Sequence, residues 1–279
     1  MTMLSINTNV GALTAARSSY SVNKSMETSM ERMASGKRIN SAADDAAGLA
    51  ISTRITAEIQ GLKQSIKNAA DAQSLLNVTE GALSEVHTIL LRMRELAVQS
   101  ANETVRDQDR DMLQMEVGQL EAEIQRISDD TTWSGMTLLA GGFTTGATFQ
   151  IGPRDTDTIQ ISISAIEPLS TVARGGLSLV SHISTQAAAQ NYILNIDNAI
   201  SIISSDRAQY GAVMNRLDHA MANMQNIVTN LSTAKGRIED ADFAAESANL
   251  ARTQVLQQAS MAMLSQANAS KQNILSLFQ

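Results

Sequence analysis

Residues 32–52 read RMASGKRINSAADDAAGLAIS, and the adjacent carboxylates Asp44 and Asp45 can serve either chemistry or the start of a helix. Ser41 followed three residues later by Asp44 has the spacing of a capping box, and Asn40 is a second cap candidate. Acidic residues in a first turn also complement the positive end of the helix dipole. Paired carboxylates doing acid–base work need surroundings that push their pKa values apart, and the flanking Ala and Gly supply no such partner. The stretch is therefore read as a helix that stops near Ser35, a break at Gly36 and a second helix that starts near Ser41.

Outward from this break, composition favours long helices. The chain has 279 residues, 43% of them hydrophobic but only 3% aromatic, so Ala, Leu, Ile and Met must fill the core. Small side chains suit helices at close approach. The formal net charge of −7 speaks against nucleic acid or an anionic membrane as the main partner. Cysteine is absent, which removes disulfides and thiol chemistry. The opening MTMLSINTNV lacks a basic flank followed by an apolar run, and no segment has the ~18 apolar residues of a membrane span. Export without a cleaved signal peptide is the expectation.

The only prolines, Pro153 and Pro168, lie mid-chain, with seven of the fifteen glycines (135, 141, 142, 146, 152, 175 and 176) in the same region. Two helical arms around a short irregular or β insert follow from that punctuation. In the first arm Ile51, Ile55, Ile59, Leu62 and Ile66 mark one face, continued by Leu83, Val86, Leu90, Met93 and Ala97. After the turn-like ANETVRDQDRD (101–111), Leu113, Val117, Leu120, Ile124 and Ile127 mark a shorter helix. The second arm carries a heptad-like seam through Met214, Leu217, Met221, Met224, Val228 and Leu231. Between the arms, ATFQIG and DTIQISIS alternate polar and apolar residues around PRDT, which predicts a small β-hairpin within about residues 143–165. The expected fold is mainly α, a long antiparallel helical bundle or coiled coil with that hairpin in the middle of the chain.

The two ends differ from the rest. Residues 1–23 hold one charge, Arg17, and residues 247–279 hold two, Arg252 and Lys271. Ile6, Val10 and Leu13 still mark a helical face at one end, as do Leu256, Met263, Ile274 and Leu277 at the other. Helices with narrow apolar stripes and no charged i,i+4 pairs are marginal in water, so these ends are expected to be ordered in an assembly. Frayed termini on an ordinary bundle are the plainer alternative.

The opening stretch, RELAVQSAN (94–102), MLSINTNVGALTA near the start and the run from Arg237 to the terminal QNILSLFQ closely resemble bacterial flagellin, the subunit of the flagellar filament. The resemblance implies that residues 1–41 and 237–279 pair as terminal helices forming an inner filament core around an export channel. Residues 42–236 would form an outer helical layer. Gly36, Asn40, Ser41, Asp44 and Asp45 would form the joint between layers, with a counterpart near Lys235–Asp240. It further implies secretion through the flagellar type III apparatus to an extracellular flagellum. The implied partners are further copies of the chain, an export chaperone at the C-terminal helices, the filament cap and the hook–filament junction proteins. A host Toll-like receptor that senses flagellin would read the monomer. For that receptor the matching positions are Arg92 and Leu96, four apart on one helical face, and Glu116 on the next helix.

The middle, about residues 138–180, is short beside relatives that insert whole surface domains, and its Ser and Thr read as ordinary loop polarity before they read as glycan sites. His87, His182 and His219 are isolated, so no H-E-x-x-H metal site exists, and no phosphate-binding or nucleophile-elbow motif is present. No enzyme activity, metal or cofactor is expected. A structural filament subunit is the leading reading, a hook–filament junction adaptor with flagellin-like ends is the alternative, and a secreted pore-forming helical protein is a weaker third.

Overall fold

The computed structural model describes residues 8–143, 146–166, 177, 179 and 182–276, with side chains to 270. Among them the chain forms helices α1 (Val10–Ser35), α2 (Ala46–Ser100) and α3 (Asp107–Asp130). Short strands β1 (Thr132–Trp133), β2 (Met136–Thr137), β3 (Ala147–Gln150) and β4 (Thr158–Ile161) follow, then helices α4 (Gln186–Glu239) and α5 (Phe243–Ser276). The mainly α fold with a mid-chain hairpin is as the sequence predicts.

The chain divides into two compact units, residues 60–228 and residues 1–59 with 229–279. The division falls within α2 and α4, whereas the boundaries expected at 41/42 and 236/237 lie near the breaks that separate α1 from α2 and α4 from α5.

In the unit of residues 60–228, α2 buries Leu62, Ser65, Ala69, Ala72, Leu76, Thr79, Leu83, Val86, Leu90, Met93, Ala97 and Ser100. Their spacing alternates 3 and 4 without a slip, the repeat that keeps one seam facing a partner helix. Serine, alanine and threonine at half of these positions hide the seam from a search for large apolar residues. Helix α4 answers with Ala189, Tyr192, Ile196, Ala199, Ile203, Tyr210 and Leu217, all buried. Gln73–Asp218, Glu80–Arg207 and Arg94–Asp197 link α2 to α4 in descending order along α4, so the two helices are antiparallel. Helix α3 adds Val117 and Ile124, and the Tyr192 hydroxyl donates to Glu121 at 2.6 Å.

The predicted hairpin pairs β3 with β4, Ala147 opposite Ile161 and Gln150 opposite Thr158, and buries Ile159 and Ile161. Asn68 on α2 holds it by donating to the Gln150 carbonyl at 3.0 Å. A second, smaller pair, β1 with β2, was not expected. Its turn is Ser134-Gly135, with φ of 50° and 81°, the paired positive values of a tight hairpin turn. The Ser-Gly dipeptide was the available signal.

Candidate functional site

The terminal helices α1 and α5 pack along each other in the other unit. Asn9 begins α1 by accepting from the Ala12 N–H at 3.1 Å, and its amide donates to the Ala267 carbonyl on α5 at 3.0 Å. Ala12, Ala15, Ser19, Val22, Met26, Ser29 and Met33 turn toward the interior at spacings of 3 and 4, while Gln257 on α5 donates to Asn23 at 2.8 Å. Small residues on both helices leave a groove of about 530 Å³ lined by Gly11, Ala15, Ala259 and Met263 among others, with no charged residue in its walls.

The end of α1 carries a polar node that the sequence reading missed. Glu246 is 8% exposed, and its carboxylate accepts from Ser29 Oγ at 2.9 Å and from Arg32 Nη1 at 3.0 Å. Burial works to raise the Glu246 pKa, but Arg32 and Ser29 outweigh it and the net shift is downward. The available signal was a lone acid at the start of a helix that carries no other acid.

Gly36 then ends α1 with φ of 70°, the left-handed C-cap for which glycine is suited. The segment after it pairs with the segment before α5: Arg38 N donates to the Glu239 carbonyl at 2.7 Å and Ala241 N to the Gly36 carbonyl at 3.0 Å, with Lys37 opposite Asp240. Lys37 Nζ lies 2.5 Å from Glu239 Oε1, and this contact holds the Glu239 carboxyl below its ordinary value. The Arg38 guanidinium donates to the Ile238 carbonyl at 2.8 Å and lies 3.6 Å from Asp45.

The two aspartates divide their work differently from the sequence reading. Helix α2 starts at Ala46, not near Ser41, and has no acidic residue in its first turn. Asp44 Oδ2 instead closes the preceding turn, accepting from Ser41 N at 2.9 Å, Ser41 Oγ at 3.0 Å and Asn40 N at 3.2 Å, and these bonds lower its pKa. Asp45 is the cap, accepting from Gly48 N at 2.8 Å. The capping residue is therefore one place after the expected box, because the turn closed by Asp44 uses up the Ser41–Asp44 spacing.

Among the residues expected at the assembly faces, Val10, Leu13, Leu256 and Met263 are 60%, 59%, 45% and 66% exposed in the single chain. Ile6 and Leu277 lie outside the described residues, as does the side chain of Ile274. On α2 and α3, Arg92 Nη2 meets Glu116 at 2.9 Å and Arg92 Nη1 meets Glu95 at 3.1 Å, all on the surface. Leu96 does not join them. It is 1% exposed and belongs to the core, so the apolar anchor expected beside Arg92 is not presented. A spacing of four puts two residues on neighbouring parts of a helix surface, and here the boundary of the core runs between them.

Residues 6–144 match the family described as the bacterial flagellin N-terminal helical region, and residues 193–278 match the bacterial flagellin C-terminal helical region. The flagellin of Halalkalibacterium halodurans is 41% identical over 98% of this chain and 99% of its own length. That of Bacillus subtilis is 37% identical over the same shares. Among solved structures, a candidate flagellar hook-associated protein of Vibrio parahaemolyticus superposes with a TM-score of 0.62 over 71% of this chain and 100% of its own; at 18% identity it shares the fold alone. Nothing in these relatives favours the junction adaptor over the filament subunit. With both terminal helical regions present and relatives matched from end to end, the chain belongs to the bacterial flagellins, the structural subunits of the flagellar filament.

Proposed function

We propose that the paired ends α1 and α5 are the surface through which this subunit polymerises, forming the inner core of the filament around an export channel. The observation that carries this reading is apolar side chains left in water on chain ends nearly free of charge: Val10 and Leu13 within residues 1–23, whose one charge is Arg17, and Leu256 and Met263 within residues 247–279, whose charges are Arg252 and Lys271. The breaks at Gly36–Asp45 and Lys235–Asp240 serve as the joint between the inner core and the outer helical layer.

The same C-terminal face suits the export chaperone, which would hold Leu256 and Met263 as an apolar helix face before the subunit passes through the flagellar type III apparatus. The filament cap and the hook–filament junction proteins would meet the terminal helices at the two ends of the polymer. Arg92 and Glu116, an exposed pair bridging α2 and α3, are the charged part of the surface by which the host's flagellin-sensing receptor would read the monomer.

Elongation from fragmented filament seeds tests the assembly reading. Leu13→Asp and Met263→Asp should each stop elongation while leaving helix content by circular dichroism near wild type. Unimpaired growth of both variants would overturn the assignment of the ends.

A further inference from the structure

One flank of the α1 and α5 pair opens into two sockets that repeat each other. The apolar groove is walled on α1 by Gly11, Thr14, Ala15 and Ser18, and on α5 by Ser260, Met263, Gln266 and Ala267 among others. A second cavity of about 370 Å³ is lined by Ser25, Thr28, Ser29 and Arg32 on α1 and by Glu246, Asn249, Arg252 and Thr253 on α5. Each α1 residue of the second socket lies 14 places after its counterpart in the first, and each α5 residue 14 places before. Two heptads, ~21 Å along a helix, therefore separate two openings on the same side.

The sockets differ in chemistry. The first has no charged wall, whereas the second holds two guanidinium groups and one carboxylate. Arg32 is already engaged by Glu246, so Arg252 leaves the second socket one cation in excess. The far side of α1, about 150° around the helix axis from these walls, carries groups that match them. Leu13 there is 59% exposed, Tyr20 is 74% exposed, and Glu27 is exposed as well. Among the described residues neither Glu27 nor Arg252 has an ion pair. Leu13 and Glu27 are 14 residues apart, the spacing of the two sockets.

We infer that the far side of α1 in one copy plugs the sockets of the next, Leu13 in the apolar groove and Glu27 in the polar cavity beside Arg252. The inference rests on the filament reading and names the contact. A head-to-tail polymer joins two different faces of the chain, and around a channel those faces stand somewhat less than 180° apart. Plug and socket meet that condition. Their order along α1 is also the same, so the copies stand parallel, as an open polymer requires. Equal spacing seats both plugs at once. A slip of one heptad either way would put Tyr20 or Ala34 opposite Arg252 in place of a carboxylate, so the charge fixes the register.

Elongation of the full-length chain on wild-type filament fragments tests this. Glu27→Arg and Arg252→Glu should each elongate at least roughly tenfold more slowly than wild type, because like charges then meet in the polar socket. A chain carrying both reversals should regain growth from its own fragments. Circular dichroism must show unchanged helix content in these variants. The chain has no cysteine, so cross-linking supplies a second measurement. In filaments grown from wild type mixed with Glu27→Cys and Arg252→Cys chains, a short bismaleimide should join one variant to the other. Leu13→Cys and Ala259→Cys chains should be joined in the same way, and no variant should link to itself. Wild-type rates for either single reversal, a doubly reversed chain that forms no filament, or mixed filaments lacking either cross-link would overturn the pairing. Wild-type protein that cannot elongate on seeds would instead remove the filament reading itself.

Discussion

Arg32 on α1 and Glu246 on α5 meet at 3.0 Å, joining positions 214 residues apart in a seam whose inward α1 residues from Ala12 to Met33 are uncharged. Ser29 completes the site at 2.9 Å, so the one acid at the start of α5 is held by two donors from the other end of the chain. Their meeting fixes the register of the terminal pair.

The pairing of α1 and α5 should therefore weaken in acid. The Glu246 pKa is lowered in the folded chain, so its contribution is present above its ordinary value of 4.5 and is lost as pH falls through the lowered one. Glu239, lowered by Lys37, acts in the same direction at the adjoining joint. Amide hydrogen exchange should show α1 and α5 losing protection as the pH is taken from neutral to below 4.5, before the unit of residues 60–228 does. Glu246→Gln should lose about 1–3 kcal/mol of that protection at neutral pH and flatten its pH dependence. A variant as protected and as acid-sensitive as wild type would refute the role of this pair.

Leu96 and Arg92, four apart on α2, should respond oppositely to truncation. Leu96 is 1% exposed, and Leu96→Ala should destabilise the fold by about 2–5 kcal/mol in thermal or denaturant unfolding. Arg92→Ala removes a surface pair and should leave the unfolding midpoint unchanged. Loss of receptor binding by Leu96→Ala then reports on folding, and Arg92→Ala is the informative variant for recognition. Equal destabilisation by both would contradict the placement of the core boundary between them.

Asp44 and Asp45 should be separable by amide. Asp45→Ala removes the acceptor of the Gly48 N–H and should cost about 0.5–2 kcal/mol, seen as faster exchange in the first turn of α2. Asp44→Ala should leave Gly48 protected while exposing the Asn40 and Ser41 amides. Loss of Gly48 protection in the Asp44 variant would reverse the assignment.

The sequence by itself determined where the helices break and which residues share a face. Gly36 and the acidic pair mark one break, the mid-chain prolines and glycines mark the insert, and Met214 to Leu231 mark a seam whose Leu217, Met224 and Val228 are buried. These features are local: they follow from backbone dihedrals and from a period near 3.6 residues, which nearby residues encode. Only the tertiary structure decided how much of each helix is covered. On α2 the adjacent residues Leu75 and Leu76, and likewise Leu96 and Ala97, are all buried, so the covered arc is wider than one heptad seam. That width is what takes Leu96 out of the surface and leaves Arg92 on it. The partners of Glu246 and of Arg38 were equally beyond local reading, because Arg32 and Ser29 reach Glu246, and the Ile238 carbonyl reaches Arg38, across separations of 214, 217 and 200 residues. A period specifies a direction around a helix; what occupies that direction is set by how the distant ends of the chain pack together.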